Sequence, residues 1–94
     1  MKIVVPEFAL FARPNGLSHS RLGITTTRKL GKAVTRNRAR RLVREAYRKN
    51  RGDLPVGLDL VFVVRAPLLR RSAAELGPIL IGAAGQVQTK GAAQ

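Results

Sequence analysis

The stretch Lys32–Asn50 leaves the fold few options. It lies between Gly31 and the breakers Gly52 and Pro55. At about 100° per residue it sorts into two unlike sides. Ala39, Leu42, Val43, Ala46 and Tyr47 fall on one side. Arg40, Arg41, Arg44, Arg48 and Arg51 fall on the other, with Asn37 among them, and Arg36 and Arg38 stand at the two borders. Such a helix must bury its apolar stripe on another layer and leave a row of guanidinium groups outside.

The flanking segments alternate with the two-residue period of strands. In Pro6–Arg13, Phe8, Leu10 and Ala12 oppose Ala9, Phe11 and Arg13, and Pro14-Asn15-Gly16 closes the run with a turn signal. In Arg21–Arg28, Leu22, Ile24 and Thr26 oppose Gly23, Thr25 and Thr27. The turn between these runs predicts an antiparallel hairpin, and Met1–Val5 can add a short edge strand. Leu58–Val64 is apolar on both faces apart from Asp59, which predicts a strand covered on both sides. A helix between two strands suggests a crossover connection. Ser72-Ala73-Ala74-Glu75 has the form of a capping box. Leu76, Ile79, Leu80, Ala83 and Val87 follow at helical spacing, with Pro78 either kinking the helix or marking where its regular part begins. The expectation is a single domain over 1–87 and a polar, flexible tail over 88–94.

Charge then narrows the function. The 94 residues carry 18 lysines and arginines against 5 acids, a formal net charge of +13. Eleven of the basic residues lie between Arg28 and Arg51, against the single acid Glu45. This concentration points to an acidic partner, with nucleic acid first. A hydrophobic content of 45% is too high for a disordered basic tail. The chain has no cysteine and one histidine, His19, which excludes disulfides, cysteine-ligated zinc, a thiol nucleophile and any two-histidine metal motif. No apolar run approaches the roughly 18–20 residues of a membrane span. Met1–Val5 is too short for a secretory signal, so the expected location is the cytoplasm.

The acids Glu7, Glu45, Asp53, Asp59 and Glu75 are scattered, and Glu45 is expected to pair with neighbouring arginines. His19, between Ser18 and Ser20, reads as solvent-facing, and no phosphate-binding glycine loop is present. No acid–base or metal chemistry is expected of the protein alone. A phosphate-reading surface is. Arginine holds a phosphate through two parallel hydrogen bonds and stays charged. Thr25 and Thr27 add hydroxyls on one sheet face. Phe8 and Phe11 fall on opposite faces, so one can meet a nucleotide while the other belongs to the core.

The run Gly31-Lys32-Ala33-Val34-Thr35-Arg36-Asn37-Arg38-Ala39-Arg40-Arg41-Leu42-Val43-Arg44-Glu45 strongly resembles the signature of the bacterial ribonuclease P protein family. Arg21-Leu22-Gly23-Ile24 followed by Thr27-Arg28-Lys29 resembles the segment before that signature, and Leu58–Pro67 the segment after it. The likeness covers about residues 8–87. It implies an α+β fold with a mixed four-stranded sheet, a left-handed β-α-β crossover through the arginine-rich helix, against the usual hand, and a C-terminal helix. It also implies a function. The protein subunit would join a large catalytic RNA in a 1:1 complex and bind the 5′ leader of precursor tRNA. The RNA, with its Mg2+ ions, would perform the endonucleolytic cut, and no catalytic residue or cofactor is expected in the protein. By the resemblance, Arg36, Asn37, Arg38, Arg41 and Arg44 match the RNA-contacting residues. Thr25, Thr27, Arg28, Lys29 and Lys32 match positions beside the leader path, and Phe11 matches a leader-facing aromatic. Helix-face geometry adds Arg40 and Arg48. The family's basic, aromatic-bearing helix before the first strand has no counterpart in Met1–Val5, so weak discrimination of leader-bearing tRNA is expected.

Three other readings compete. A small basic ribosomal protein, or another structural RNA-binding protein, shares the composition. A helix-turn-helix DNA binder needs a short helix where the threonine-rich strand lies. A membrane-surface helix needs a larger apolar face than Ala39, Leu42, Val43 and Ala46 offer.

Overall fold

The computed structural model describes residues 1–92. In chain order it comprises β1 (Lys2–Val4), β2 (Phe8–Pro14), β3 (Arg21–Thr25), α1 (Ala33–Lys49), β4 (Leu58–Val64) and α2 (Ala73–Ala92), with short 3-10 turns at Arg28–Leu30, Arg51–Asp53 and Ala66–Arg70. The four strands form one mixed sheet in the order β1-β2-β4-β3. β2 pairs antiparallel with β1 and with β4, and β3 pairs parallel with β4.

This order corrects the hairpin expected between β2 and β3. The two strands are not neighbours, because β4 lies between them. The turn at Pro14-Asn15-Gly16 is real, and Gly16 takes a φ of 72°, which suits glycine. The chain leaves that turn toward the far edge of the sheet. Asn15 N–H donates to the Gly57 carbonyl, not back across a hairpin. The seven-residue, mostly apolar β4 wins the central position because it gains two partners there. The crossover expectation holds: β3 and β4 are parallel neighbours joined through α1.

Phe8, Leu10 and Ala12 of β2 and Leu60, Phe62 and Val64 of β4 point to one side of the sheet, where all are buried. Phe8 meets Phe62 edge to face, 5.0 Å between ring centroids. Both helices pack over this side. α1 contributes Ala39, Val43 and Ala46, and α2 contributes Leu76, Leu80, Ala83, Ala84 and Val87. Small side chains on α1 let the helices approach closely. A Cβ on Gly77 of α2 would lie 2.7 Å from Asn50 Nδ2 at the end of α1.

The second face is therefore open, which corrects the reading of β4 as covered on both sides. Val61 is 37% exposed and Phe11 41%. Asp59 and Val63 are half-buried. The two helices share one side of the sheet, and none of the described residues forms a second layer.

The capping box forms as expected. Glu75 N–H donates to Ser72 Oγ at 3.1 Å, and Ser72 N–H to Glu75 Oε1 at 3.0 Å. α2 starts at Ala73 and continues through Pro78, which is exposed and sits early enough to spare most of the ladder. Past Val87 the helix runs to Ala92, so the expected tail is helical over 88–92, in keeping with its glutamine, lysine and alanine content. Its last residues, 93–94, lie outside the described part.

Candidate nucleic-acid interface

Two surfaces carry the basic side chains, and the fold sets each in a different way. The first is α1. Its apolar stripe is fixed against the core, so its outer face has no choice but solvent. Asn37, Arg38, Arg41, Arg44 and Arg48 are exposed, while Arg36 and Arg40 are half-buried at the sides. Arg40 Nη1 donates a long 3.4 Å bond to Asn37 Oδ1. Arg36 Nε is buried with no hydrogen-bond partner among the described residues. Arg41, Arg44, Glu45 and Arg48 line a shallow groove of about 480 Å³. Glu45 pairs at 3.0 Å with Lys49, one turn on, and not with the arginines as expected. The arginines of the groove thus stay free of acidic partners among the described residues.

The start of α1 is unusually basic. Lys32 occupies the N-cap without a side-chain cap, and the first turn holds no acid. Free N–H groups, the positive end of the helix dipole and Lys32, Arg36 and Arg38 all gather there, which costs stability in isolation and favours an approaching anion.

The second surface is the open face of the sheet. Residues paired across strands share a face, so register places its side chains in rows. One row runs Lys2, Phe11, Val61 and Gly23, and the next Val4, Ala9, Val63 and Thr25. A third runs Arg13, Asp59 and Arg21. Lys2 Nζ stands 5.4 Å from the Phe11 ring centroid, a cation–π contact at the edge of the face. The division of the two phenylalanines is as expected: Phe8 is wholly buried and Phe11 is exposed. Thr25 ends β3, so the strand stops short of the expected Arg28. Thr27 instead leads into the turn that carries Arg28 and Lys29, and all four residues are exposed. Thr27, Lys29 and Leu30 line a depression of about 220 Å³ together with Val64, Arg65 and Ala66.

Arg65 was not among the residues singled out from sequence. Its signal was available: a basic residue directly after a buried strand lies at the sheet end beside the β3–α1 junction. Arg13, Arg21 and Asp59 were also missed as a group, because their convergence depends on the β2-β4-β3 order. Asp59 is held well below its ordinary value of 3.8, at about 2, chiefly by hydrogen bonds from Arg21. His19 is exposed, as expected. Among the described residues, no three His, Asp or Glu side chains gather as a metal would need. No described helix is long and apolar enough to cross a membrane.

Known proteins resemble the chain in sequence and in fold. A family profile described as Ribonuclease P matches residues 1–84. The ribonuclease P protein component of Thermotoga maritima is 49% identical over 61 residues, which is 65% of this chain and 52% of the relative. That of Brevibacillus brevis is 47% identical over 60 residues, 63% of this chain and 48% of the relative. The chain spans about half the length of the curated relatives it matches. The solved RNase P protein from Thermotoga maritima superposes with a TM-score of 0.75 at 36% identity, over 87% of this chain and 82% of that one.

Proposed function

Since the chain belongs to the ribonuclease P protein family, we propose that it serves as the protein component of an RNA-based endoribonuclease that removes the 5′ leader from precursor tRNA. One observation carries this reading. Neither described helix covers the second face of the sheet, and Phe11 is exposed on it, while a separate row of arginines stands free on α1. Two surfaces of different character suit two RNA elements. The arginine face of α1 fits the phosphates of a folded RNA, where Arg38, Arg41, Arg44 and Arg48 offer exposed planar forks. The open face fits an unpaired strand, with Phe11 as a stacking platform and Thr25, Thr27, Arg28, Lys29 and Arg65 at its basic end.

The protein's donor set does not fit a resident metal ion. Asp59 is engaged with Arg21, Glu45 with Lys49 and Glu7 with Arg71. In this reading the catalytic RNA holds the magnesium ions and performs the hydrolysis. The protein orients the leader and screens the repulsion between RNA phosphates, as one protein per RNA in the cytoplasm.

Reconstitution tests the proposal. Addition of the protein to a bacterial ribonuclease P RNA at low magnesium should raise the rate of leader cleavage well above that of the RNA alone. Binding to the RNA with no gain in cleavage would instead support a purely structural RNA-binding protein.

A further inference from the structure

Three charges line up across the end of the open face that is opposite the β3–α1 junction. Arg13, Asp59 and Arg21 are register partners on β2, β4 and β3. Among the strand residues of this face, Asp59 is the sole acid. Its side chain is 18% exposed, against 80% for Arg13 and 60% for Arg21. Both carboxylate oxygens are used. Arg21 donates from Nε to Oδ1 at 2.7 Å and from Nη2 to Oδ2 at 2.8 Å, and Asn15 Nδ2 donates to Oδ1 at 3.2 Å. Arg13 Nε stands 3.8 Å from Oδ2.

A two-pronged contact from a shielded carboxylate fixes the plane of a guanidinium. It uses two of the five N–H groups of Arg21 and leaves the outer edge of the fork free. Arg13 is drawn toward the same point from the other side. A depression of about 350 Å³ connects this row with the aromatic row, lined by Met1, Phe11, Arg13, Asp59 and Val61 among others. The two rows lie about 7 Å apart along the strands, on the order of one step of an extended single strand.

We infer that Asp59 is a positioning residue for single-strand binding: it sets Arg21 and Arg13 as a phosphate grip one row from the Phe11 stacking surface. The inference rests on the proposed use of the open face as the path of an unpaired strand. A nucleotide whose base lies on Phe11 presents its phosphate to the two arginines, and Asp59 acts only through them.

The sign of a charge change separates this role from general electrostatics. Asp59→Asn makes the protein more positive, and long-range attraction alone would then tighten RNA binding. Positioning demands the reverse. The probe is a fluorescein-labelled, eight-nucleotide single-stranded RNA, titrated by anisotropy with the full chain, and melting temperatures are read in parallel. Asp59→Asn should weaken binding roughly three- to tenfold despite the added charge. Arg21→Lys, which keeps the charge and loses the fork, should weaken it similarly. In the Arg21→Lys background, where only Arg13 is left for Asp59 to act through, Asp59→Asn should weaken binding by less than it does in the wild type. Equal or tighter binding by Asp59→Asn overturns the inference. If Asp59→Asn does not fold, Arg13→Ala and Arg21→Lys decide, and wild-type affinity in both overturns it. Phe11→Ala separates the two levels of the argument. A loss there with none in Asp59→Asn overturns the positioning role and leaves the strand path standing; no loss in either overturns both.

Discussion

At the scale of single residues, charge and its partners decide what each side chain can do. Arg41 and Arg44 have no acidic partner among the described residues, so their charges are available to phosphate. Alanine at either position should weaken binding to structured RNA. It should also flatten the dependence of log K on log salt by roughly 0.7–0.9 per lost phosphate contact. Asn37→Ala removes a neutral group from the same face, and affinity should fall with the slope unchanged. Titrations at several salt concentrations check both. Asp59 makes a different prediction. Its carboxyl is depressed from 3.8 to about 2, first by the hydrogen bonds of Arg21 and against the opposing effect of burial. Between those values the unfolded chain binds more protons than the folded one, so acid favours unfolding. The contribution is fully present above about pH 4 and is lost as the pH falls toward 2. The melting-temperature gap between wild type and Asp59→Asn should hold from neutral pH down to about 4 and close below it.

Among the elements, the helix ends and the helix–helix contact are the sensitive places. Ser72 and Glu75 satisfy each other's backbone N–H groups at the start of α2. Ser72→Ala should cost about 1 kcal/mol in denaturant unfolding. The contact between Gly77 and Asn50 is a sharper test. Asn50 Nδ2 donates to the Ala46 carbonyl at 2.7 Å and so closes the end of α1. A methyl group on Gly77 would push it off. Alanine is intrinsically the better helix former by up to about 1 kcal/mol. Gly77→Ala should therefore destabilise the wild type yet stabilise an Asn50→Ala background, and a double-mutant cycle reads that reversal as coupling. Both helices were legible because their apolar positions recur at helical spacing and their ends carry recognisable signals. Partners of strands were not legible in the same way, since the two-residue period assigns faces and says nothing of neighbours.

For the whole molecule, a net charge of +13 on 94 residues dominates. Self-repulsion lowers the stability of the free protein, most of all along α1 and at its uncapped start. Added salt should raise the melting temperature by screening, and a polyanion should raise it more at equal ionic strength. Thermal unfolding with and without each addition checks this. The same molecule, purified free of RNA, should cut no precursor tRNA, because its acids are dispersed and all but Asp53 face basic partners. Cleavage by RNA-free protein would count against the proposed division of labour.

The sequence by itself determined the local order of the chain and the arginine face of α1. Both depend on short-range periodicity: Ala39, Val43 and Ala46 must go inward, which leaves Arg41, Arg44 and Arg48 outside wherever the helix docks. It determined the split between Phe8 and Phe11 for the same reason, since adjacent faces of a strand alternate. The resemblance of residues 31–45 to a family signature supplied the four-stranded mixed sheet. Only the tertiary structure decided that β4 separates β2 from β3, and that both helices lie on one side. Strand pairing is a long-range choice, settled by the apolar area a central strand buries against two neighbours. That choice leaves the open face of the sheet. It also brings Arg13, Asp59 and Arg21, far apart in the chain, into one row.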